Sequence, residues 1–320
     1  MPDLRHLLRR QTFAFAGVLA AVLLIVNIIA QPSFVRPGNL PGDIGLLAPL
    51  ALVALASTPA VISGGGGLDI SIGPLMNFTS IILVLKLLPN ALGTPAIAIP
   101  ITLAIGAAVG AINGYMVAVL RYQPIIATIC TFFVLGGANI ALAPNPTTAP
   151  ANWTGDLANS VGPVPGGLIL IAAVMAIWAL VRRTPLHRNL MAVGASDVSA
   201  YSAGVNVTAI RFFAYTLGGL FAAVAGIALA GLVQSADPNY GTQYALLGFA
   251  GVALGGTPIG GGRGGLTGSL LGAIVIFLIR NLLLDLNVST VWLQVVYGLL
   301  LIVGVSLTAS VLGRPRLKAI

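Results

Sequence analysis

The sequence contains ten apolar segments, most of them about as long as a helix that crosses a membrane. Such a helix needs about 20 residues to span roughly 30 Å of hydrocarbon. Charged residues make up only 7% of the chain, whereas a soluble domain has about 25%. We therefore predict an all-α integral membrane protein with about ten transmembrane helices. The predicted segments are 13–30, 43–62, 68–88, 95–119, 123–142, 164–182, 208–233, 242–257, 265–286 and 291–312, of which 242–257 is short and rich in glycine.

The fifteen lysines and arginines predict how these helices are oriented. Cytoplasmic loops of membrane proteins carry an excess of basic residues. If ten helices follow a cytoplasmic N-terminus, both the N- and the C-terminus are cytoplasmic, and all but three of the basic residues lie on that side. The exceptions are Arg36, Lys86 and Arg280. A basic region before residues 13–30 is also typical of a signal peptide, but no clean cleavage motif follows, so we expect a retained first helix.

The sequence lacks the residues that most catalytic and metal sites require. A Walker A loop ends in Gly-Lys-Ser or Gly-Lys-Thr, yet both lysines, Lys86 and Lys318, follow leucine. Cys130 is the only cysteine, and His6 and His187 are the only histidines, so we expect no disulfide and no metal site. We also expect no catalytic residues and no cofactor in this chain. The basic residues are not interleaved with aromatic ones, which argues against binding of nucleic acid.

Two glycine-rich stretches interrupt the apolar pattern, at residues 63–73 and 255–265. Irregular backbone is tolerated at membrane depth only where protein buries it or water reaches it, so such breaks point to a transport pathway. The first break contains Asp69 and Ser71. Two compatible interpretations of Asp69 stand: with Ser71 it caps a helix that starts near Ile70, or it lines the route of a hydroxylated solute.

Small residues recur at four-residue spacing on three of the predicted helices. In lipid, helices associate through close backbone contact, which small residues permit. We interpret these stripes as packing seams; the alternative is that they let helices slide during a transport cycle. The stripes are Gly106, Gly110 and Gly114; Gly218, Ala222 and Gly226; and Gly268 and Gly272.

The loop at about residues 183–207 is mildly polar and lies on the basic side of the membrane in the predicted orientation. Ser196 is placed to cap a short helix from Asp197 to Ala203, and Gly204 is placed to end it. A helix of this length is only marginally stable alone, so we expect that packing against another surface holds it.

Four segments resemble, in the same order, motifs of one family: the permease subunits of bacterial ATP-binding cassette (ABC) importers of the ribose, xylose and galactose type. Residues 66–73 are similar to its G-G-I-D-L-S-V-G, and residues 123–128 to its Q-P-F-I-A-T. Residues 194–207 are similar to G-G-N-x-x-A-A-x-x-x-G-I-N-V, and residues 254–264 to L-G-G-T-x-x-x-G-G-R-G. Together these segments are spread over most of the chain.

The resemblance implies a single transmembrane permease domain, residues 1–320, that moves a monosaccharide across the bacterial inner membrane by alternating access. ATP and Mg²⁺ would bind to a separate ATPase subunit, on which the coupling loop at about residues 183–207 would dock. The other implied partners are a second permease subunit, a periplasmic sugar-binding protein that meets the outer loops, and membrane lipid. The longest outer loop, 143–163, contains Trp153, which suits an interfacial anchor or a docking surface.

The resemblance also assigns residues to two roles. Those on the solute pathway are Gly66, Gly67, Asp69, Ser71, Asn77, Gln123 and Thr128. Those that couple to the ATPase are Gly194, Ala195, Ser196, Asp197, Ala200, Gly204, Val205 and Asn206.

The sequence departs from the family pattern at two points. Residues 244–247 read Tyr-Ala-Leu-Leu where Y-E-L-D is usual, so both acids are absent. Ala195-Ser196 stands where Gly-Asn is usual. We therefore expect this chain to pair with a different permease that supplies what is missing; a homodimer is the alternative.

Three other functions stay open. An ion-coupled secondary transporter is disfavoured because acids and histidines at membrane depth are scarce. A scaffold without transport activity is disfavoured because helix breaks lower its stability for no gain. An ABC permease for a nucleoside differs only in its solute, and the sequence identifies neither the sugar nor the solute class.

Overall fold

The structure is a computed structural model that describes residues 13–150, 152–289 and 292–299, with residues 302 and 306. These residues are mostly helical. The helices are α1 (Ala14–Ala30), α2 (Leu40–Ile62), α3 (Ile72–Ile82), α4 (Pro95–Ala118), α5 (Pro124–Leu142), α6 (Thr154–Ala158), α7 (Gly166–Arg182), α8 (Pro185–Ala195), α9 (Asp197–Ser202), α10 (Val207–Val233), α11 (Gly241–Leu254) and α12 (Leu266–Asp285). Residues 292–299 are helical as well.

Shorter elements connect these helices. A π-helical turn, Leu83–Leu87, extends α3, and 3₁₀ turns lie at Pro32–Val35 and Ala91–Gly93. The strands pair antiparallel, β1 (Thr147–Thr148) with β4 (Ser235–Ala236) and β2 (Ser160–Val161) with β3 (Val164–Pro165). Helices α4, α5 and α8 each begin with proline at their first position. Proline is tolerated there because an N–H at this position would make no hydrogen bond within the helix.

Among the described residues, five helices are long and apolar enough to cross a bilayer: α2, α4, α5, α10 and α12. Helices α7 and α8 form a sixth candidate, bent by 84° at the break between them. Helices α1, α3 and α11 are apolar but shorter. The predicted helical membrane protein is therefore confirmed, whereas the count of ten spans and the cytoplasmic termini stay predictions. Much of the tenth predicted segment, 291–312, lies outside the described residues.

Helices α2 and α10 lie at the centre of the bundle, where side chains such as Leu52 and Phe221 are fully buried. Helix α10 packs against α2, α3 and α4, while α11 packs against α12 and α12 against α1. Helices α4 and α5 lie toward the outside, and Phe133 and Val134 of α5 are 69% and 70% exposed. In a membrane protein such apolar faces meet lipid or another subunit.

Glycines make the closest contacts between helices. A Cβ on Gly106 of α4 would come within 2.4 Å of the carbonyl oxygen of Gly219 on α10. A Cβ on Gly272 of α12 would come within 2.0 Å of the carbonyl oxygen of Gly251 on α11. Because real Cβ contacts are not that short, these helices meet through their backbones. The predicted packing seams are confirmed.

The segment between α5 and α7, which the sequence predicts to lie outside, is more ordered than its composition suggests. It contains β1, the short helix α6 and the β2–β3 hairpin. Trp153 is half-buried, and its Nε1 donates a hydrogen bond to the Gly93 carbonyl oxygen at 2.7 Å. This contact fixes the segment to the turn before α4, and its docking role stays a prediction.

Candidate functional site

The coupling loop folds into two short helices, α8 and α9, that meet at Ser196. Ser196 Oγ accepts a hydrogen bond from the Ser199 N–H at 3.2 Å and so caps α9. At the other end Gly204 has a φ of +82°. Its N–H and that of Val205 donate to carbonyl oxygens in the last turn of α9, at 2.9 and 3.0 Å. This pair of bonds is a Schellman motif, so the predicted Ser196 cap and Gly204 stop are confirmed, and the helix ends at Ser202, one residue before the predicted Ala203.

The C-terminal end of α8 meets both glycine-rich breaks at one point. We call this contact the glycine junction; its members are residues 62–65, residues 194–195 and residues 261–262. A Cβ on Gly194 would lie 1.9 Å from the Ile62 carbonyl oxygen and 2.4 Å from the Gly262 nitrogen. The Gly262 N–H also donates to the Ile62 carbonyl oxygen at 3.0 Å. The backbones of three distant segments are therefore in direct contact.

The breaks need glycine for conformation as well as for space. The glycines with positive φ in the two breaks are Gly64, Gly65, Gly66, Gly256, Gly261, Gly262 and Gly264. Only glycine adopts this left-handed region without a steric penalty. Glycine at these positions thus lets the two breaks adopt their backbone conformation without strain.

An ion pair joins α9 to α10. Arg211 Nη2 donates to the two carboxylate oxygens of Asp197 at 2.6 and 2.8 Å. The Arg211 guanidinium also lies against the first break, because a Cβ on Gly65 would come within 2.3 Å of its Nη2. Arg211 therefore contacts both the coupling loop and the glycine junction.

A groove of about 1320 Å³ opens between α9 and the turn that joins α4 to α5. Val198 and Tyr201 of α9 line it and are 78% and 75% exposed. Arg121 lines it too and gives it positive charge. Gln123 also lies here, so the structure places this predicted pathway residue beside the coupling loop.

Asp69 lies buried at the centre of a polar network. Its Oδ1 accepts hydrogen bonds from the N–H and the Oγ of Ser71, at 3.0 and 2.6 Å. Asn113 of α4 approaches both carboxylate oxygens at 3.4 Å and donates to Ser71 Oγ at 2.7 Å. Thr131 of α5 donates to Asn113 Oδ1 at 2.6 Å. The network therefore connects the first break to α4 and α5, which lie at the periphery of the bundle.

Five of the predicted pathway residues lie together around this network: Gly66, Gly67, Asp69, Ser71 and Thr128. Thr128 Oγ1 donates to the Leu68 carbonyl oxygen at 3.2 Å. Asn77 lies apart from them, on α3, where its Nδ2 donates to the carbonyl oxygens of Asp237 and Pro238 at 3.0 Å each. Asn77 thus holds α3 to the segment before α11.

Asp69 does not cap α3 in the expected way. The helix starts at Ile72, two residues later than the predicted start near Ile70. Its N-cap is Ser71, whose side chain makes no capping hydrogen bond. Asp69 instead accepts the Ser71 N–H and so stabilises the turn before the helix. The capping interpretation is wrong, because an N-cap side chain bonds amides inside the first turn.

Two residues of the site were missed from the sequence. Asn113 stands in an otherwise apolar helix, and a polar side chain at membrane depth is itself a signal of a buried network. Arg211 was counted only as one of the orienting basic residues. Its pairing with Asp197, fourteen positions earlier, depends on how α9 folds back, which hydropathy does not encode.

Comparison with known proteins identifies the family. A family profile described as "Branched-chain amino acid transport system / permease component" matches residues 44–305. The ribose import permease protein RbsC of Bacillus subtilis is 32% identical over 89% of this chain and 89% of its own length. No solved structure gives a significant match.

Two further relatives agree. A probable ABC transporter permease protein, y4mJ of Sinorhizobium fredii, is 30% identical over 92% of this chain and 88% of its own length. The fructose import permease protein FrcC of Rhizobium meliloti is 27% identical over 96% of this chain and 88% of its own length. The resemblance drawn from four short motifs is confirmed over most of the chain, which belongs to this family of ABC transporter permease components.

Proposed function

We propose that this chain is the membrane-spanning permease of an ABC importer that brings a monosaccharide into a bacterial cell. The observation that carries the proposal is the similarity, over about nine-tenths of both chains, to a permease named for ribose import. A relative named for fructose import supports a sugar as the solute. The family description names branched-chain amino acids, which makes these the main competing solute.

The coupling loop is suited to receive force from a separate ATPase. Its exposed residues Val198 and Tyr201 present apolar and aromatic surface on a capped, defined helix. We propose that ATP-driven closure of the ATPase moves α9, and that Arg211 and the glycine junction pass this movement to α2 and to the loop between α11 and α12. Close-packed contacts transmit displacement because they have no free volume to absorb it.

The buried Asp69 network has a positioning role in this proposal. In this conformation the Asp69 side chain is only 2% exposed, so solute has no access to it. We propose that the network holds the first break against α4 and α5, and that alternating access moves Asp69 and Ser71 toward the solute route. A hydroxylated solute suits these groups, since hydroxyls both donate and accept hydrogen bonds.

The proposal includes ten membrane spans with both termini in the cytoplasm, in the bacterial inner membrane. The basic loops support this orientation. ATP and Mg²⁺ bind to the ATPase subunit, and a periplasmic sugar-binding protein delivers the solute to the outer segments. Nucleic acid has no part in the mechanism.

A second permease subunit completes the pathway, and its contact surface is proposed to include the exposed apolar faces of α4 and α5. We favour a different permease as this partner, because both acids of the Y-E-L-D pattern are absent here. Size-exclusion chromatography of the complex, purified after co-expression of all proteins of the operon, tests whether the partner permease is a different chain. A complex with two different permeases supports the heterodimer, and a complex with this permease alone contradicts it.

Reconstitution of the complex in proteoliposomes tests the proposed function. We expect uptake of labelled ribose that requires the ATPase subunit, the binding protein and ATP, and that excess leucine does not inhibit. Uptake driven by a proton or sodium gradient without ATP would instead establish a secondary transporter. ATP-dependent uptake of leucine but not ribose would retain the importer and change the solute. No uptake in any of these assays would favour a scaffold.

A further inference from the structure

A second feature with the chemistry of a binding site lies at the opposite end of the bundle from the coupling loop. It is a cavity of about 370 Å³, within the range of about 300–1,000 Å³ that is typical of small-molecule sites. The N-terminal ends of α2 and α11, the C-terminal ends of α10 and α12, and residues 293–297 surround it. These ends of the helices are the ones that the predicted orientation places outside.

The side chains of this outer cavity combine aromatic rings with hydrogen-bonding groups. Leu46, Leu50 and Leu247 give it an apolar wall. The polar and aromatic lining consists of Tyr240, Gln243, Tyr244, Arg280, Gln294 and Tyr297. Tyrosine hydroxyls and glutamine amides both donate and accept hydrogen bonds, and the guanidinium donates up to five. The tyrosine rings offer flat apolar faces to the C–H face of a ring-shaped solute.

Arg280 is the residue that most needs an explanation. It stands in the membrane-length helix α12 and is half-buried. Among the residues that the structure describes, the only ion pair joins Arg211 to Asp197, so Arg280 faces the cavity without a carboxylate. A charge at membrane depth is costly, and such residues mark substrate pathways. Leu247, where the family pattern has an acid, supplies no negative charge either.

The same lining discriminates between solute classes. An amino acid carries an ammonium group as well as a carboxylate, and a buried ammonium needs a carboxylate or several acceptors. The described lining of the cavity contains no acid. A sugar carries only hydroxyl and ring oxygens, which amides, phenols and one guanidinium satisfy.

We propose that this outer cavity is a solute subsite on the translocation pathway that accepts a neutral polyhydroxylated molecule from the binding protein. The inference rests on the proposed import function and adds to it the location of a solute site and the residues that form it. Arg280, Gln243 and Gln294 donate hydrogen bonds to the solute oxygens. Tyr244 and Tyr297 pack against its carbon skeleton.

Kinetics of ATP-driven ribose uptake in proteoliposomes with the complete complex test this subsite. Loss of a charged hydrogen bond in Arg280→Gln is expected to raise the KM for the loaded binding protein about 10- to 100-fold. Gln243→Ala and Gln294→Ala are each expected to raise it about 2- to 10-fold. Both glutamines are exposed, so these two variants fold even if Arg280→Gln does not.

A matched control removes a comparable side chain elsewhere. Phe15 of α1 is exposed and does not line the cavity, so Phe15→Ala is expected to leave the KM unchanged.

The outcomes separate this inference from the proposed function. If the wild-type complex fails to import ribose with ATP, the proposed function fails. If wild type imports ribose and both glutamine variants keep the wild-type KM, the function stands and the subsite is wrong. A rise in KM with unchanged maximal uptake in the cavity variants alone supports the subsite.

Discussion

The two ends of this helix bundle are built in opposite ways. At the coupling end, backbone meets backbone in the glycine junction, where a single added Cβ on Gly194 would come 1.9 Å from a carbonyl oxygen. At the outer end, tyrosine, glutamine and arginine side chains surround a cavity of about 370 Å³. A contact that transmits movement needs close packing, whereas a site that admits solute needs space and adaptable side chains.

This contrast predicts different kinetic effects. Changes at the coupling end should lower maximal ATP-driven uptake with little effect on solute recognition, because the close-packed backbones of the junction leave no room for a solute. Changes in the outer cavity should act on the KM. The contrast itself would be contradicted if variants at both ends changed the KM and the maximal uptake alike.

Gly194→Ala should have the largest effect. Its methyl group would meet the Ile62 carbonyl oxygen and the Gly262 nitrogen, which are backbone atoms that cannot rotate away. Overpacking typically costs about 1–3 kcal/mol, so we expect maximal uptake to fall about 10- to 100-fold. Gly260→Ala is the matched control, since no atom lies within 4 Å of a Cβ there. Equal uptake by both variants would show that the junction is not a mechanical contact.

Asp69→Ala should lower uptake roughly tenfold while expression stays near wild type. The substitution leaves the buried Ser71 N–H without its acceptor and removes the Asn113 contact, and an unsatisfied buried donor costs about 1–3 kcal/mol. Asp69→Asn keeps an acceptor oxygen for the Ser71 N–H, so its uptake should fall less than that of Asp69→Ala. Uptake per folded protein distinguishes a role of Asp69 in transport from a purely structural one. Normal uptake by Asp69→Ala would mean that Asp69 only stabilises the turn before α3.

Gly204→Val should weaken ATPase binding about 5- to 30-fold and leave the membrane fold intact. A Cβ at this position meets no atom within 4 Å, so the effect comes from the φ of +82° alone. Placing an L-amino acid in the left-handed backbone region costs about 1–2 kcal/mol, and the cost is higher for a β-branched residue such as valine. Gly204→Asn tolerates this φ and serves as control. The affinity for the purified ATPase is measured in detergent, and a wild-type value for the valine variant would contradict the role of the α9 end.

Asp197→Asn should have the smallest effect. Its side chain is 43% exposed, and exposed ion pairs contribute about 0.2–1 kcal/mol, so we expect a loss of coupling of roughly 1.5- to 5-fold. The readout is the number of ATP molecules hydrolysed per solute imported. High salt should shrink the difference from wild type, because salt screens exposed charges. A difference that grows with salt would exclude the ion pair as its cause.

The same contrast explains how much the sequence revealed. Hydropathy located the helices, and Ser196 and Gly204 marked both ends of α9, because these signals are local. The stripes of small residues identified packing faces, yet the partner of Gly106 turned out to be Gly219, outside the predicted stripe. Which faces meet depends on the whole bundle and not on spacing within one helix.

The glycine junction itself was beyond prediction from the sequence. Each of its segments was recognised as a motif, but Gly64, Gly194 and Gly261 are far apart in the chain and meet only after folding. Gln123 is a different case, since its motif suggested the solute pathway and the structure places it in the groove beside α9, so its pathway role stays a prediction. Motifs indicated which residues matter, whereas three-dimensional contacts indicated which end they serve.

The central claim is that energy for transport enters through α9 on the cytoplasmic side. Replacing Cys130, which is exposed, by alanine and Val198 by cysteine leaves one cysteine, placed on α9. A membrane-impermeant maleimide should then leave intact cells unlabelled and label inside-out vesicles, and added ATPase subunit should protect the cysteine. Labelling in intact cells would contradict both the orientation and the route by which the chain is powered.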